Sequence, residues 1–407
     1  MSASASPIGT VPDPLAILYV LDAFPVLSET FISNEVRAMR RMGHRIVPLS
    51  LSHYTGPCQP EDEAMKAETL RLADVSTVRA AAFAAMHPRG MAAAMRFANR
   101  QTGIRPRSLL RAAARVALAA RQQRCTHLHA HYAHATAATA ITAAAITGLT
   151  CSFIGHGYDI YGTSSDLPLK LAAADVVFAT CDDMAADFRR MAPGVNAIVA
   201  TCGVDPERFV PAPEADGNGR LLAIGRLVEQ KGYPVLFEAL ARLPAERRPV
   251  VDVVGGGPLE EELKQLAIDT GVGGSVQFLG RMPNVWIARE GPRYQGFVAP
   301  YVVCHDNDKD TGPVAVKEAL AMGLPIVASR LMGMKEYVNP ACGRHVEPGD
   351  AAELADAIAW LAGLTAAQRQ AVGAAARQHA LANFTLAAQA AINTAAIREV
   401  QAARAPR

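Results

Sequence analysis

The chain has 407 residues, more than one hydrophobic core usually fills, so two domains are expected. Half of the residues are apolar, 19% are charged and the formal net charge is +2, which excludes a disordered polyelectrolyte and gives no general case for nucleic acid. Seven scattered cysteines, an odd number, argue for a reducing compartment rather than a disulfide framework.

Met1–Pro14 carries neither a basic stretch nor an apolar core of the signal-peptide kind, and no run reaches about 18 apolar residues. A cytoplasmic location is therefore the expectation. Short apolar runs then alternate with helical patterns. Strands are predicted at Leu15–Val20, Arg45–Ser50, His127–Tyr132, Thr150–Ile154, Val176–Thr180 and Ala197–Thr201. Helices are predicted at Glu29–Met42, Arg107–Ala120, Ala135–Ile146 and Asp182–Met191.

Charge is unevenly spread in this half. Between Asp74 and Asp159 there is no acidic residue, while Arg79, Arg89, Arg96, Arg100, Arg105, Arg107, Arg111, Arg115, Arg121 and Arg124 fall within it. A solvated helix surface accounts for such a run. A basic face docking on an anionic membrane accounts for it equally, at roughly 1 kcal/mol per cation near the lipid.

The segment Pro211–Gly219 is rich in Pro, Gly and polar residues and reads as an exposed linker, placing the domain boundary between residues 207 and 208. Strand signals resume at Arg220–Ile224, Val250–Val254, Val276–Leu279, Gly296–Pro300 and Pro325–Ser329. Helices follow at Tyr233–Leu243, Leu259–Thr270, Val314–Met322, Ala351–Leu361 and Ala366–Ala382, with a last amphipathic run at Leu386–Ala403. Alternation of this kind predicts an α/β fold of two doubly wound domains, whose ligands bind beyond the carboxyl ends of the strands.

Three segments of the second half carry chemistry. In Ile224–Gly232, Gly225 turns the backbone while Arg226 and Lys231 flank a strand-to-helix junction, a pairing of fork and point charge that suits a diphosphate. Gly255-Gly256-Gly257-Pro258 permits close backbone approach to a ligand, or is simply a tight strand-to-helix turn; it is not a G-x-G-x-x-G fingerprint. In Asp306–Glu318, Pro313 marks a helix start whose free amides favour an anion, and Asp310 and Glu318 offer carboxylates to hydroxyl groups. The alternating Asp306, Asp308 and Asp310 do not make a calcium loop, because Gly312 is one place late and Lys317 stands where a bidentate Glu belongs.

Taken together, Gly225-Arg226 to Lys231-Gly232, Gly255–Leu259, and an acid eight residues before Glu318 resemble family 4 retaining glycosyltransferases of the GT-B fold. Gly203-Val204-Asp205 with Phe209-Val210-Pro211 extends the resemblance, and Phe24–Phe31 is similar to members acting in exopolysaccharide or colanic-acid-type assembly. The resemblance implies two Rossmann-like domains facing across a cleft, residues 208–385 binding the donor and residues 1–207 the acceptor, with a C-terminal helix (386–407) returning to the first domain. Arg226 and Lys231 would hold the donor diphosphate, and Glu318 the ribose diol. Asp310 would touch the donor sugar, with Gly225, Gly256, Thr311, Gly312, Pro313 and Val314 around it. His156 would lie near the reacting sugar, with Ser28, Glu29, Thr30, His131 and Asp159 on the acceptor side.

The same resemblance implies a UDP- or GDP-linked sugar as co-substrate, a saccharide or lipid-linked saccharide acceptor, transfer with retention, and no metal or other cofactor. Two positions depart from the family pattern. Asp310 replaces the usual Glu, shortening its reach by about 1.5 Å, and Thr311 replaces the usual Gly. A glycine-pair loop after the first strand is replaced by Pro25–Thr30.

Three rival readings follow from the residues. His127, His129 and His131 alternate along one strand, with His134 just beyond, and so share a face suited to a metallohydrolase, although no later Asp/His set completes a site. A nucleotide-sugar 2-epimerase would keep the fold and change the reaction. A non-catalytic sugar-nucleotide-binding module would fit the Asp310 departure.

Overall fold

The computed structural model describes residues 13–162, 165–212 and 218–404. It divides into two compact units, Met1–Thr201 with Leu386–Arg407, and Cys202–Thr385. The first unit holds a seven-stranded sheet of β1 (Ala16–Leu21), β2 (Arg45–Ser50), β3 (Leu70–Arg71), β4 (His127–His131), β5 (Thr150–Ile154), β6 (Val176–Ala179) and β7 (Ala197–Val199). Its spatial order is β3-β2-β1-β4-β5-β6-β7, with every pairing parallel. In the second unit are β8 (Arg220–Ile224), β9 (Val250–Val254), β10 (Val276–Gly280), β11 (Gly296–Ala299), β12 (Ile326–Ser329) and β13 (Gly343–Val346), in the order β10-β9-β8-β11-β12-β13. This is the Rossmann order twice over, so the predicted α/β class is the observed one.

Parallel strands covered by helices on both faces carry no solvated side, and β4, β5, β6, β11 and β12 are buried at every residue. In each unit the strand order reverses beside the first strand: between β1 and β4, and between β8 and β11. Crevices at such reversals are where open sheets of this type bind ligands.

The C-terminal helix Leu386–Arg404 belongs to the first unit. Leu386, Ala390, Ile397 and Val400 pack with Ile32, Val36 and Met39 of helix Thr30–Arg41 in one core. The boundary falls at Thr201/Cys202, ahead of the expected 207/208. Arg377 explains the difference, because its guanidinium donates to the carbonyls of Phe209 (2.5 Å) and Pro206 (2.8 Å) and so ties that segment to the second unit. Within the expected linker, residues 213–217 lie outside the described residues, as do residues 1–12.

The acid-free Arg-rich span folds into helices Thr77–Ala85, Pro88–Ala98 and Pro106–Gln122, of which only the last was predicted. Nine of its ten arginines are exposed. Arg115 is the exception: it donates to the carbonyls of Val75 and Ala73, each at 2.8 Å, and holds a chain turn rather than joining a charged face with Arg111. Among the described residues, no helix is long and apolar enough to cross a membrane.

Candidate functional site

In the second unit, β8 runs into Gly225 and Arg226, and the turn Glu229–Lys231 leads to helix Tyr233–Arg242. Lys231 is buried, and its ammonium meets Asp310 Oδ2 at 2.6 Å. The same ammonium lies 4.0 Å from the centre of the Tyr301 ring, which follows β11. Burial would lower the Lys231 pKa, but Asp310 and Tyr301 outweigh it and raise it, so the cation is fixed. Two predicted site residues, 79 positions apart, are thereby joined at the sheet reversal.

Asp310 Oδ1 also accepts from the Gly312 amide at 3.2 Å, which sets the loop ahead of helix Val314–Ala321. Thr311 is fully buried, and its carbonyl accepts from the Gly333 amide at 3.1 Å. Pro313 stands at the cap position of the helix with no side-chain cap, leaving the first-turn amides open to an anion. Glu318, one turn on, is 8% exposed, and burial raises its pKa to about 7 against the pull of Arg208 and Lys317.

Arg226 is exposed beside these groups. Gly255, at φ +147°, passes so near β8's end that a Cβ there would lie 1.8 Å from the Gly225 carbonyl oxygen. A Cβ on Gly257 would likewise lie 2.4 Å from the Leu227 carbonyl oxygen, so these two glycines are required by packing of one strand-end loop on another. Gly256 lies against Arg281, which the sequence did not single out.

In the first unit, the predicted acceptor residues gather at the ends of β4 and β5 and at the start of helix Thr30–Arg41. Ser28 is exposed, while Glu29 and Thr30 are half-buried at the helix start. Burial raises the Glu29 carboxyl, a rise opposed by a hydrogen bond with Tyr132 and by His131. Tyr132 holds φ +71°, a conformation uncommon for a residue with a side chain and frequent where a site constrains the backbone. His156 Nε2 is 3.0 Å from His131 Nδ1, and its ring packs 4.5 Å from Phe31.

Asp159 sits differently from a cleft carboxylate. It is 1% exposed and accepts from the amides of Ala133 (2.7 Å), His156 (2.8 Å) and Gly157 (3.0 Å). It therefore fixes the loop that carries His156. His134 is half-buried near Tyr158.

A buried polar cluster was missed. Glu35, from helix Thr30–Arg41, accepts from the Tyr19 hydroxyl at 2.9 Å and the Gln389 amide at 2.7 Å, and faces His129 and His131. Burial alone would raise its carboxyl pKa, yet His131, His129 and Tyr19 hold it at about 2. Burial dominates at His129 and lowers it to about 3, so that ring is neutral beside the carboxylate. One signal was available in the sequence: Glu35 lies on the buried stripe Ile32, Val36, Met39, where a charge needs a partner.

Residues 205–379 match the family described as glycosyl transferases group 1. The amylovoran biosynthesis glycosyltransferase AmsK of Erwinia amylovora is 32% identical over 168 residues, covering 40% of this chain and 41% of that protein. The putative colanic acid biosynthesis glycosyltransferase WcaL of Salmonella typhimurium is 25% identical over 377 residues, covering 85% and 90%. At 30% identity or above, the chain spans about half the length of the curated relatives it matches. Among solved structures, Anabaena HepE in complex with UDP superposes with a TM-score of 0.72 at 18% identity, covering 95% of this chain and all of that one, a likeness of fold. The motifs around Lys231, Asp310 and Glu318 all lie inside residues 205–379, the segment that matches the glycosyl transferases group 1 family.

Proposed function

We propose that the chain transfers a sugar from a nucleotide-sugar donor to a saccharide or lipid-linked saccharide acceptor in cell-surface polysaccharide synthesis. One observation carries this reading. The cation Lys231, the carboxylate Asp310 and the helix start behind Gly312 meet at the reversal of a Rossmann sheet that lies within the family-matched segment. Support for the donor class comes from HepE, which was solved with UDP. Support for the pathway class comes from AmsK and WcaL, named for amylovoran and colanic acid biosynthesis.

In this reading Arg226 and Lys231 neutralise the donor diphosphate, and their charge counts for more as the sugar–phosphate bond breaks. The acceptor hydroxyl oxygen forms its bond to the anomeric carbon on the face the phosphate leaves, and its proton passes to the departing phosphate oxygen. The configuration is retained, and fixed cations with helix amides provide the electrostatic stabilisation without a metal. Glu318 takes the ribose diol, and His156 serves the acceptor half. Asp310 reaches the donor sugar through the oxygen not committed to Lys231.

The test is a thermal-shift panel of UDP- and GDP-sugars followed by turnover with saccharide acceptors. A donor that raises the melting temperature and is consumed only with acceptor supports the reading. Release of an epimer from donor alone would replace transfer by epimerisation. Binding with no turnover on any acceptor would leave a binding module.

Membrane docking is a second part of the proposal, favoured by exposed Val78 (80%) and Met86 (70%) among exposed Arg79, Arg89 and Arg96. Co-sedimentation with anionic vesicles that falls as salt rises is expected. Equal co-sedimentation with neutral vesicles would sink it.

A further inference from the structure

The histidines of β4 lack a third ligand in their own part of the sequence, and the fold supplies one from the first long helix. One ligand atom each of Glu35, His129 and His131 lies within 4.8 Å of the other two. All three side chains are 1% exposed or less. Each imidazole has already committed its Nδ1: that of His129 is 2.7 Å from Ser152 Oγ, and that of His131 is 3.0 Å from His156 Nε2. Both Nε2 atoms remain buried without a hydrogen-bond partner. They stand 3.5 and 3.6 Å from the same atom, Glu35 Oε1.

Those separations are long for charge-assisted hydrogen bonds, which close to about 2.7–2.9 Å. They fit two ligands of a shared ion. Bonds of about 2.0–2.2 Å meeting at a tetrahedral angle put neighbouring ligand atoms about 3.4 Å apart.

We propose that Glu35, His129 and His131 bind one divalent transition-metal ion, with zinc the best match to two imidazoles and a carboxylate. The supporting layer is in place. Tyr19 and Gln389 each donate to one Glu35 oxygen, and the committed Nδ1 atoms fix both rings with Nε2 inward. Since two bonds of about 2.1 Å span at most about 4.2 Å, any wider part of the 4.8 Å spread closes on binding. The ion would pin helix Thr30–Arg41 to β4 and make His131 Nδ1 a donor toward His156. Enclosed in this way, it serves structure and orientation, not hydrolysis. This proposal stands apart from sugar transfer, and its test needs no sugar nucleotide.

Full-length protein from zinc-supplemented medium, desalted and analysed by mass spectrometry of its metals, is expected to hold about one zinc per chain. Chelator should remove it, and Zn²⁺ returned to the stripped protein should raise the melting temperature by several degrees. Glu35→Gln should weaken zinc binding at least tenfold. If that variant does not fold, X-ray absorption on the zinc-loaded native chain reads the ligands directly. Two imidazoles with further oxygen ligands at about 2.0–2.2 Å support the site, whereas sulfur ligation overturns it. Stripped protein that takes up no Zn²⁺ at micromolar concentration, with an unmoved melting temperature, also overturns it, and the trio is then a buried polar cluster.

Discussion

Glu318 makes the second unit's stability depend on pH in a direction the structure fixes. Its carboxyl, on helix Val314–Ala321 and 8% exposed, is raised from 4.5 to about 7, chiefly by burial, with Arg208 and Lys317 acting in opposition. The Lys317 ammonium is also engaged by the Gly312 carbonyl at 3.3 Å and the Tyr337 hydroxyl at 3.4 Å. Between pH 4.5 and 7 the native state keeps a proton that the unfolded chain has released. Stability therefore falls as pH rises through that window, by at most about 1.4 kcal/mol per pH unit, and levels off above it. The accumulated loss is about 3 kcal/mol.

Glu318→Gln keeps the shape and removes the titration. The variant should match the native protein at pH 5 and exceed it by about 3 kcal/mol at pH 8. Both tryptophans, Trp286 and Trp360, lie in the second unit, so their fluorescence during urea unfolding reports on that unit. A constant difference between the two proteins from pH 5 to pH 8 would refute the reasoning. If the carboxylate also receives a ribose diol, UDP should stabilise the native protein more at pH 8 than at pH 5, and this contrast should vanish in the variant.

Lys231→Ala and Asp310→Ala should each destabilise the second unit, and a double-mutant cycle should return a coupling of about 1–3 kcal/mol, read by the same unfolding assay. Lys231→Ala should also weaken nucleotide affinity at least tenfold by calorimetry. Asp159→Ala leaves the amides of Ala133, His156 and Gly157 without their acceptor. A loss of about 3 kcal/mol is expected in chemical denaturation followed by circular dichroism. Gly255→Ala puts a Cβ 1.8 Å from a carbonyl oxygen and should cost more than about 3 kcal/mol, while Gly271→Ala, at φ +69° with no atom within 4 Å, should cost about 1 kcal/mol.

β2, β5, β8 and β9 match their predicted ranges to the residue, while the fully buried β4, β6, β11 and β12 were each predicted one residue too long. Two edge strands, β3 and β13, were not legible. β3 is two residues long, and β13 reads Gly-Arg-His-Val, with its charges at an edge that is half solvated. Helices Thr77–Ala85 and Pro88–Ala98 escaped because alanine contributes helix propensity without marking a buried face.

The same division runs through the candidate site. Gly255 was legible as a residue that lets backbone approach closely, although the neighbour that approaches it is the Gly225 carbonyl at the end of β8. Glu35 and Tyr301 were not, because what each does depends on a partner brought from elsewhere by the sheet. Asp159 was named for its type and its place near His156, yet three backbone amides occupy its oxygens. Asp310 shows how a partner changes the meaning of a substitution. One methylene short of the glutamate usual in the family it resembles, it loses reach toward a sugar when read from sequence alone. In the fold its carboxylate meets Lys231 at 2.6 Å, so the shorter side chain also draws the ammonium toward the loop before helix Val314–Ala321. Any change in donor preference caused by Asp310 therefore acts through the position of the diphosphate's cation as well as through the sugar. Asp310→Glu should then shift affinity for UDP itself and not only for UDP-sugars. Identical UDP affinity in the two proteins, with altered UDP-sugar affinity, would confine the effect of Asp310 to the sugar.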